Sequence, residues 1–386
     1  MKELITFLCF FIPYAILGQS NERIYFENNA QVIDLSIDSS LQSFELMDTV
    51  LQEHEFFFAA EQHWKAVNSQ LQFRFLQYLH QRAGVRNLLL EGGYSYAYLI
   101  NKYLKTGDGK LLDKVLQDIP VCPKDQRKLF ERIRNYNLEL AAEDRIEVHG
   151  IDLEHSPILA LQSLNNLLPE KEVPKNISHR IEKLLKLHHS PQYDEVEVKR
   201  FFRKLDRDLI GKETAYRKFW GEDFELFEMI VQNTIQGYGF NLFSATLFKR
   251  IWQSREERMY KNFLVLQKRM KAGKYFAQFG ALHTDIKTSS RWEFPSLANR
   301  LNYTESSPVQ GRVLTISRYF RKLKSDYQKP VEYNKLENMV ELAEGNFKNS
   351  IVLLSMIGNQ TPFPELSKTF QYIILIDPDL EKEGCE

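Results

Sequence analysis

Short, nearly unbroken apolar runs alternate with stretches of helical spacing along the first half of this chain. Phe56 to Ala60, Asn87 to Leu90 and Ile146 to Ile151 read as strands buried on both faces. Between and after them, Leu71 to Arg82, Tyr94 to Leu104 and Gln126 to Ala142 carry apolar residues at helical intervals. Asn68 or Ser69 is expected to cap the first of these helices, and Gly84 to end it. Upstream, Leu41, Phe44, Met47, Val50 and Leu51 predict a helix over Leu41 to His54. Strand, helix, strand at this spacing is the order that crossover connections need to build a parallel sheet. From Pro157 to about Met270 the strand signal lapses, and charged amphipathic runs such as Ile177 to His189, Glu195 to Ile210 and Glu222 to Ile235 predict a helical insertion at about residues 157–270. Strand patterning resumes at Tyr275 to Phe279, Arg312 to Ser317, Ser350 to Ser355 and Tyr372 to Ile376, and the runs beyond Asn299 are expected to complete the same sheet. The expected fold class is α/β: a mostly parallel central sheet flanked by helices, in one domain over residues 19–386.

The N-terminus has a different character. Lys2 precedes an apolar run from Leu4 to Leu17 that ends in Gly18, which reads as a signal peptide over residues 1–18. The run is shorter than the roughly 20 residues that cross a bilayer as a helix, and Pro13 interrupts it, so no stable membrane span is expected after cleavage. An exported protein, periplasmic or secreted, follows. Cys9 falls in the leader, and the sequence leaves open whether Cys122 and Cys385 pair. Lys plus Arg number 51 and Asp plus Glu 51, a net charge of zero that gives no drive toward nucleic acid or anionic lipid. The expected partner is a small-molecule or peptide-scale substrate.

Candidate chemistry lies at the ends of the apolar runs. The first run is followed by Glu61 and His63, the second by Glu91, the third by Asp152, and Tyr275 to Phe279 by His283. Parallel strands bring their carboxyl ends to one edge, where open α/β sheets hold ligands. A neutral imidazole can take a proton from water near pH 7, and a neighbouring carboxylate fixes its tautomer and stabilises the cation that forms. Glu61 and His63, two apart, point to the same side of an extended segment. The histidines His149 and His155 flank Asp152, His188 and His189 lie on a charged helical stretch, and Tyr94, Tyr96 and Tyr98 form an aromatic cluster whose role stays open between pocket and core. No Gly-x-Ser-x-Gly element supports a serine nucleophile, and Gly107 and Gly109 follow no strand as a phosphate loop would require.

These residues carry a family resemblance. AEQHW at Ala60 to Trp64 resembles the Gly-Glu-x-x-His segment of erythromycin-esterase-like proteins, with Ala60 in place of the glycine and the histidine two residues after Glu61. LLLEGGYSYAYLINKYL at Leu88 to Leu104, RIEVHGIDLE at Arg145 to Glu154 and KYFAQFGALH at Lys274 to His283 are similar to that family's strands ending in glutamate, Gly-x-Asp and histidine. SREERMYKNF at Ser254 to Phe263 is similar to its Arg-Asp-x-x-Met-x-x-Asn helix, with Glu256 for the aspartate. The resemblance spans roughly residues 42 to 290. It implies an exported hydrolase in which His63 is the general base acting on an ester, Glu61, Glu91 and His283 complete the catalytic set, and Arg255 and Asp152 serve the substrate side. The same architecture also resembles TraB and TIKI-type metal-dependent peptidases and ChaN-type haem- or metal-binding proteins. Under those readings His63, Glu61, Glu91 and His283 would hold a divalent metal, since imidazole and carboxylate suit zinc, manganese or iron. The expected cofactor is therefore none or a divalent metal, and no His-Glu-x-x-His or Cys-x-x-Cys spacing decides between them.

Overall fold

Strand alternation sorts the core into layers. In β2 (Phe56–Glu61), Phe57 and Ala59 project into one apolar cluster while Phe56 and Phe58 project into another on the opposite face. The computed structural model describes residues 23–35, 41–117, 123–190, 192, 194–240, 245–287, 294–321, 335–336, 350–358, 361–377 and 380. The leader expected at residues 1–18, Cys122 and Cys385 lie outside the described residues. With β2 stand β1 (Ala30–Ile33), β3 (Val85–Leu90), β4 (Glu147–Gly150), β5 (Lys274–Gly280), β6 (Val313–Phe320), β7 (Ile351–Ser355) and β8 (Tyr372–Ile376). They form one sheet in the order β1-β7-β8-β6-β2-β5-β3-β4. Every pairing from β8 to β4 is parallel, and β7 runs antiparallel to both of its neighbours. The strands beyond Asn299 thus join the same sheet.

Helices cover both faces. On one side lie α1 (Val67–Ala83), α2 (Tyr94–Thr106), α3 (Gly109–Gln117) and α4 (Pro123–Leu138), which bury Leu76, Ile100, Val115 and Phe130 against Phe57, Leu88 and Phe276. On the other lie α5 (Pro157–Asn166), α6 (Ser178–His188), α7 (Glu195–Trp220), α8 (Phe224–Phe240), α9 (Ala245–Gln267) and α10 (Leu297–Tyr303). Their Leu161, Leu184, Phe202, Phe227, Phe263 and Leu301 meet Phe56, Phe58 and Phe279. The rings of Phe58 and Phe279 meet edge to face at 5.2 Å, a geometry that favours aromatic pairs and fixes β2 beside β5. Among the described residues no strand interrupts the run from α5 to α9, and no helix is long and apolar enough to cross a membrane.

Two local expectations are corrected. Leu41 to His54 is not an α-helix but two 3-10 segments, Gln42–Met47 and Leu51–Glu53. Leu41, Phe44, Met47 and Val50 recur at intervals of three, which is the 3-10 repeat, whereas an α-helical face mixes threes and fours. Neither Asn68 nor Ser69 caps α1, because the helix begins at Val67 after Ala66 and the Asn68 amide donates instead to the Gln62 carbonyl at 2.8 Å. The short edge strand β1 and helix α3 are additional elements, too brief or too polar to stand out in the pattern.

The end of β4 fits tightly against the turn after β3. A Cβ built on Gly150 would lie 2.0 Å from the Gly93 carbonyl oxygen, and the Asp152 amide donates to the Gly92 carbonyl at 3.0 Å. Gly150→Ala therefore has to displace backbone and is expected to destabilise the protein by about 1–3 kcal/mol, the range for overpacking. Urea denaturation of the variant beside the parent measures this, and equal midpoints would show that the turn can yield.

Candidate active site

The strands β2, β5, β3 and β4 are consecutive neighbours, so the residues just beyond their carboxyl ends share one edge of the sheet. Glu61 ends β2 and pairs in register with Gly280, the end of β5. His63 lies two residues further, Glu91 directly follows β3, Asp152 lies two residues past β4, and a 3-10 turn, Ala281–His283, follows β5. Helix α9 crosses this edge and contributes Arg255 and Glu256. The structure thus brings Glu61, His63, Glu91, Asp152, Arg255 and His283 together.

A buried polar chain connects them. Arg255 donates from Nε to Asp152 Oδ1 at 2.9 Å and from Nη2 to Glu91 Oε1 at 2.8 Å, and its Nη2 also bonds Asp152 Oδ2. Glu91 Oε2 accepts the Gly280 amide at 2.7 Å, and His283 Nε2 lies 3.2 Å from Glu91 Oε1. The other ring nitrogen of His283 bonds Glu256, whose second oxygen accepts the Leu297 amide at 2.5 Å. Arg255, Asp152, Glu256 and His283 are all buried, so Arg255 and Asp152 face one another and Glu91 rather than the solvent. His63 stands at the rim with its side chain 46% exposed. Its Nδ1 bonds Glu61 Oε1 at 2.9 Å, and its Nε2 lies 4.0 Å from Glu91 Oε1.

The charges set one another's protonation. Burial pushes the Glu91 carboxyl up, but His283 and then Arg255 and His63 outweigh it and hold Glu91 below the usual carboxylate range. Asp152 is likewise raised by burial and held low, on balance, by Arg255. Burial pulls His283 down, yet Glu256 and Glu91 on its two sides prevail and lift it to about 10. The His63 pKa is raised by its bond to Glu61, against burial and with help from Glu91.

Several contributors were not singled out as site residues from sequence. Glu256 stands in the α9 motif, and its contact with His283 gives that position its purpose. Gln278, a polar residue inside an apolar strand, donates to Glu61 Oε2 at 2.9 Å and accepts from Arg318 of β6 at 2.9 Å. Asn262 of α9 donates to the Ile151 carbonyl at 2.8 Å and so ties that helix to the end of β4. Gly280 leaves room for the His63 ring, since a Cβ there would lie 2.8 Å from His63 Nε2. Glu154 accepts from both the amide and the hydroxyl of Ser95, each at 3.0 Å, and so caps α2 from outside the helix, where a Cβ on Gly93 would lie 2.3 Å from Glu154 Oε2. Burial pushes Glu154 up to about 7 against those two bonds.

The remaining histidines and tyrosines divide by place. His155 is half-exposed with Nε2 3.5 Å from Asp152, so it borders the site. His149 lies within β4, bonded to Asn87 at 3.2 Å and pushed down to about 4 by burial. His188 and His189 close α6. Tyr96 packs on Phe130, while the rings of Tyr94 and Tyr98 lie 6.2 Å apart.

The donor set fits a divalent metal poorly. Both ring nitrogens of His283 are already engaged by carboxylates, and the Glu91 oxygens already accept from Arg255 and Gly280. Among the described residues, no group of three or more His, Cys, Asp or Glu is placed to hold a metal ion.

No family model matches the chain, and no curated protein matches it. Solved structures share its fold. A succinoglycan biosynthesis protein is 14% identical with a TM-score of 0.65, and the match covers 93% of this chain and 97% of that one. A protein from Bacillus cereus is 16% identical with a TM-score of 0.61, over 93% of this chain and 97% of its own. A mutant of the erythromycin esterase EreC in its open conformation is 12% identical with a TM-score of 0.62, over 90% and 96% of the two chains. The α/β fold is therefore one that an erythromycin esterase also has.

Two outcomes follow from the buried charges. Arg255→Met removes the buried guanidinium that donates to both Asp152 and Glu91 and is expected to destabilise the fold by about 3–5 kcal/mol, measured by denaturant unfolding. A loss below about 1 kcal/mol, the scale of exposed pairs, would show that water reaches the pair. His283 releases its proton near 6.5 when unfolded and near 10 when folded, so its stabilising share is complete below pH 6.5 and is lost as pH rises through 10. The melting temperature of His283→Gln should accordingly lie furthest below the parent's at pH 6 and approach it by pH 10. A gap that widens with pH contradicts a charged His283.

Proposed function

We propose that this protein is a hydrolase in which His63 deprotonates a water that attacks an ester carbonyl. The observation that carries the reading is the half-exposed imidazole whose Nδ1 is held by Glu61 while its Nε2 lies at the rim of a fixed charge cluster. With Nδ1 protonated and donating to Glu61, Nε2 bears the lone pair that takes the proton. As hydroxide adds to the carbonyl carbon, the new imidazolium is stabilised by Glu61 and Glu91. When the tetrahedral intermediate collapses, the C–O bond breaks and the proton on Nε2 passes to the leaving oxygen, which restores His63. Glu91 is held ionised and immobile by Arg255, His283 and the Gly280 amide, and Asp152 holds Arg255 in turn. In this reading Arg255 and Asp152 position the cluster. The shared fold with an erythromycin esterase supports a hydrolase, and the leader at residues 1–18 supports an exported one.

His63→Ala is expected to lower kcat by about 10²–10⁴-fold toward an ester the parent turns over, with folding intact by circular dichroism. Because the base works unprotonated and its pKa is raised, parent activity should rise with pH to a plateau, with its midpoint above 6.5. Glu61→Gln should move that midpoint down as the cation loses its partner. Undiminished hydrolysis by His63→Ala, or a midpoint indifferent to Glu61→Gln, would remove His63 from the role.

A further inference from the structure

Trp64 follows the proposed base directly and is the only non-glycine residue with positive φ among the described residues, at φ 67. A bulky side chain is disfavoured in this left-handed region, and a conformation of this kind at a site edge persists only where the surroundings impose it. No apolar cluster accounts for the backbone: Trp64 is 55% exposed, belongs to none of the three apolar clusters and makes no ring contact or hydrogen bond among the described residues. On the adjoining strand end, Leu282 immediately precedes His283 and is 39% exposed. Glu61 and Gly280 are register partners, so the turns bearing Trp64 and Leu282 leave neighbouring strands on the same side of the sheet. Two large, exposed apolar residues therefore sit on the turns that carry His63 and His283, and the larger one holds a strained backbone while joining none of the apolar clusters.

We infer that Trp64 is a stacking platform for the substrate and that the ester this site takes carries a flat aromatic ring, its face set against the indole while its carbonyl lies at His63. The inference rests on the hydrolase reading for its ester and on Trp64 alone for its ring. An indole face offers rings offset stacking and broad apolar contact, and it loses little conformational freedom in doing so. Leu282 supplies an apolar shoulder beside it.

The test compares the parent, Trp64→Gly and Trp64→Phe with 2-naphthyl acetate and vinyl acetate, two activated esters with and without a ring system. Taking the ratio of variant to parent for each ester cancels their different intrinsic reactivity. Trp64→Gly is expected to lose about tenfold more kcat/KM on the naphthyl ester than on the vinyl ester, through KM, with Trp64→Phe recovering most of it. Glycine accepts positive φ without strain, so Trp64→Gly should melt no lower than the parent. Equal losses on both esters, expressed in kcat, would mean that Trp64 only places His63 and would overturn the inference. Calorimetric binding of 2-naphthol, which needs no turnover, separates the two proposals. Naphthol binding that weakens in Trp64→Gly while the parent hydrolyses neither ester would sink the hydrolase reading and leave the ring site standing. Naphthol binding that is absent, or indifferent to the substitution, would sink the ring site.

Discussion

Arg255 is the cation on which the site's geometry depends, because it is buried between Asp152 and Glu91 and bonds both. Taking such charges out of water costs several kcal/mol per ion, and the arrangement is tolerable only because nearly every oxygen that faces the cluster has a donor. Glu91 accepts from a guanidinium and a backbone amide, and Glu256 from an imidazole and a backbone amide. The backbone donors matter as much as the cations. They come from the end of β5 and the start of α10, so the carboxylates report directly on the placement of those elements. A rigid electrostatic frame of this kind needs little reorganisation when charge develops beside it.

The frame divides the site into a dry part and a wet part. His283 and His63 both lie beside Glu91, yet the first is enclosed by two carboxylates and the second leans on one at the surface. The same residue type is thereby placed in two environments, one that favours the cation and one that leaves the ring open to solvent. Glu61 is the link between that exchangeable group and the far side of the sheet, since Gln278 and Arg318 orient it from β5 and β6.

Much of this is legible in the residues themselves. Parallel strands buried on both faces read as unbroken apolar runs, so β2, β3, β5 and β8 stand out, and the ionisable residue that ends each of the first three marks the sheet edge. Pairings across the sheet are less visible. Gln278 is conspicuous as a polar residue in a strand, but its bond to Glu61 depends on a register that only the folded sheet defines. Arg255 reads as the charged residue of a helix motif, and its bond to Asp152 depends on where α9 docks. Period-three spacing from Leu41 to Val50 passes for an α-helix because four residues cannot separate a repeat of 3.0 from one of 3.6. The backbone of Trp64 runs against its own local preference, and for that reason no pattern in the sequence announces it.

The bonds from Arg255 reach across 103 residues to Asp152 and 164 residues to Glu91. Loop closure on that scale is entropically costly before any contact offsets it. The helices between β4 and β5 must be in place before the guanidinium can meet either carboxylate, and until then all three groups are better off hydrated. The ion cluster therefore cannot act as a seed for folding. It forms only once α9 and α10 meet the sheet edge, and a chain that has failed to dock α9 has, by the same omission, no assembled cluster. Assembly of the charge cluster and completion of the fold become one event, so a partly folded population would hold no assembled cluster.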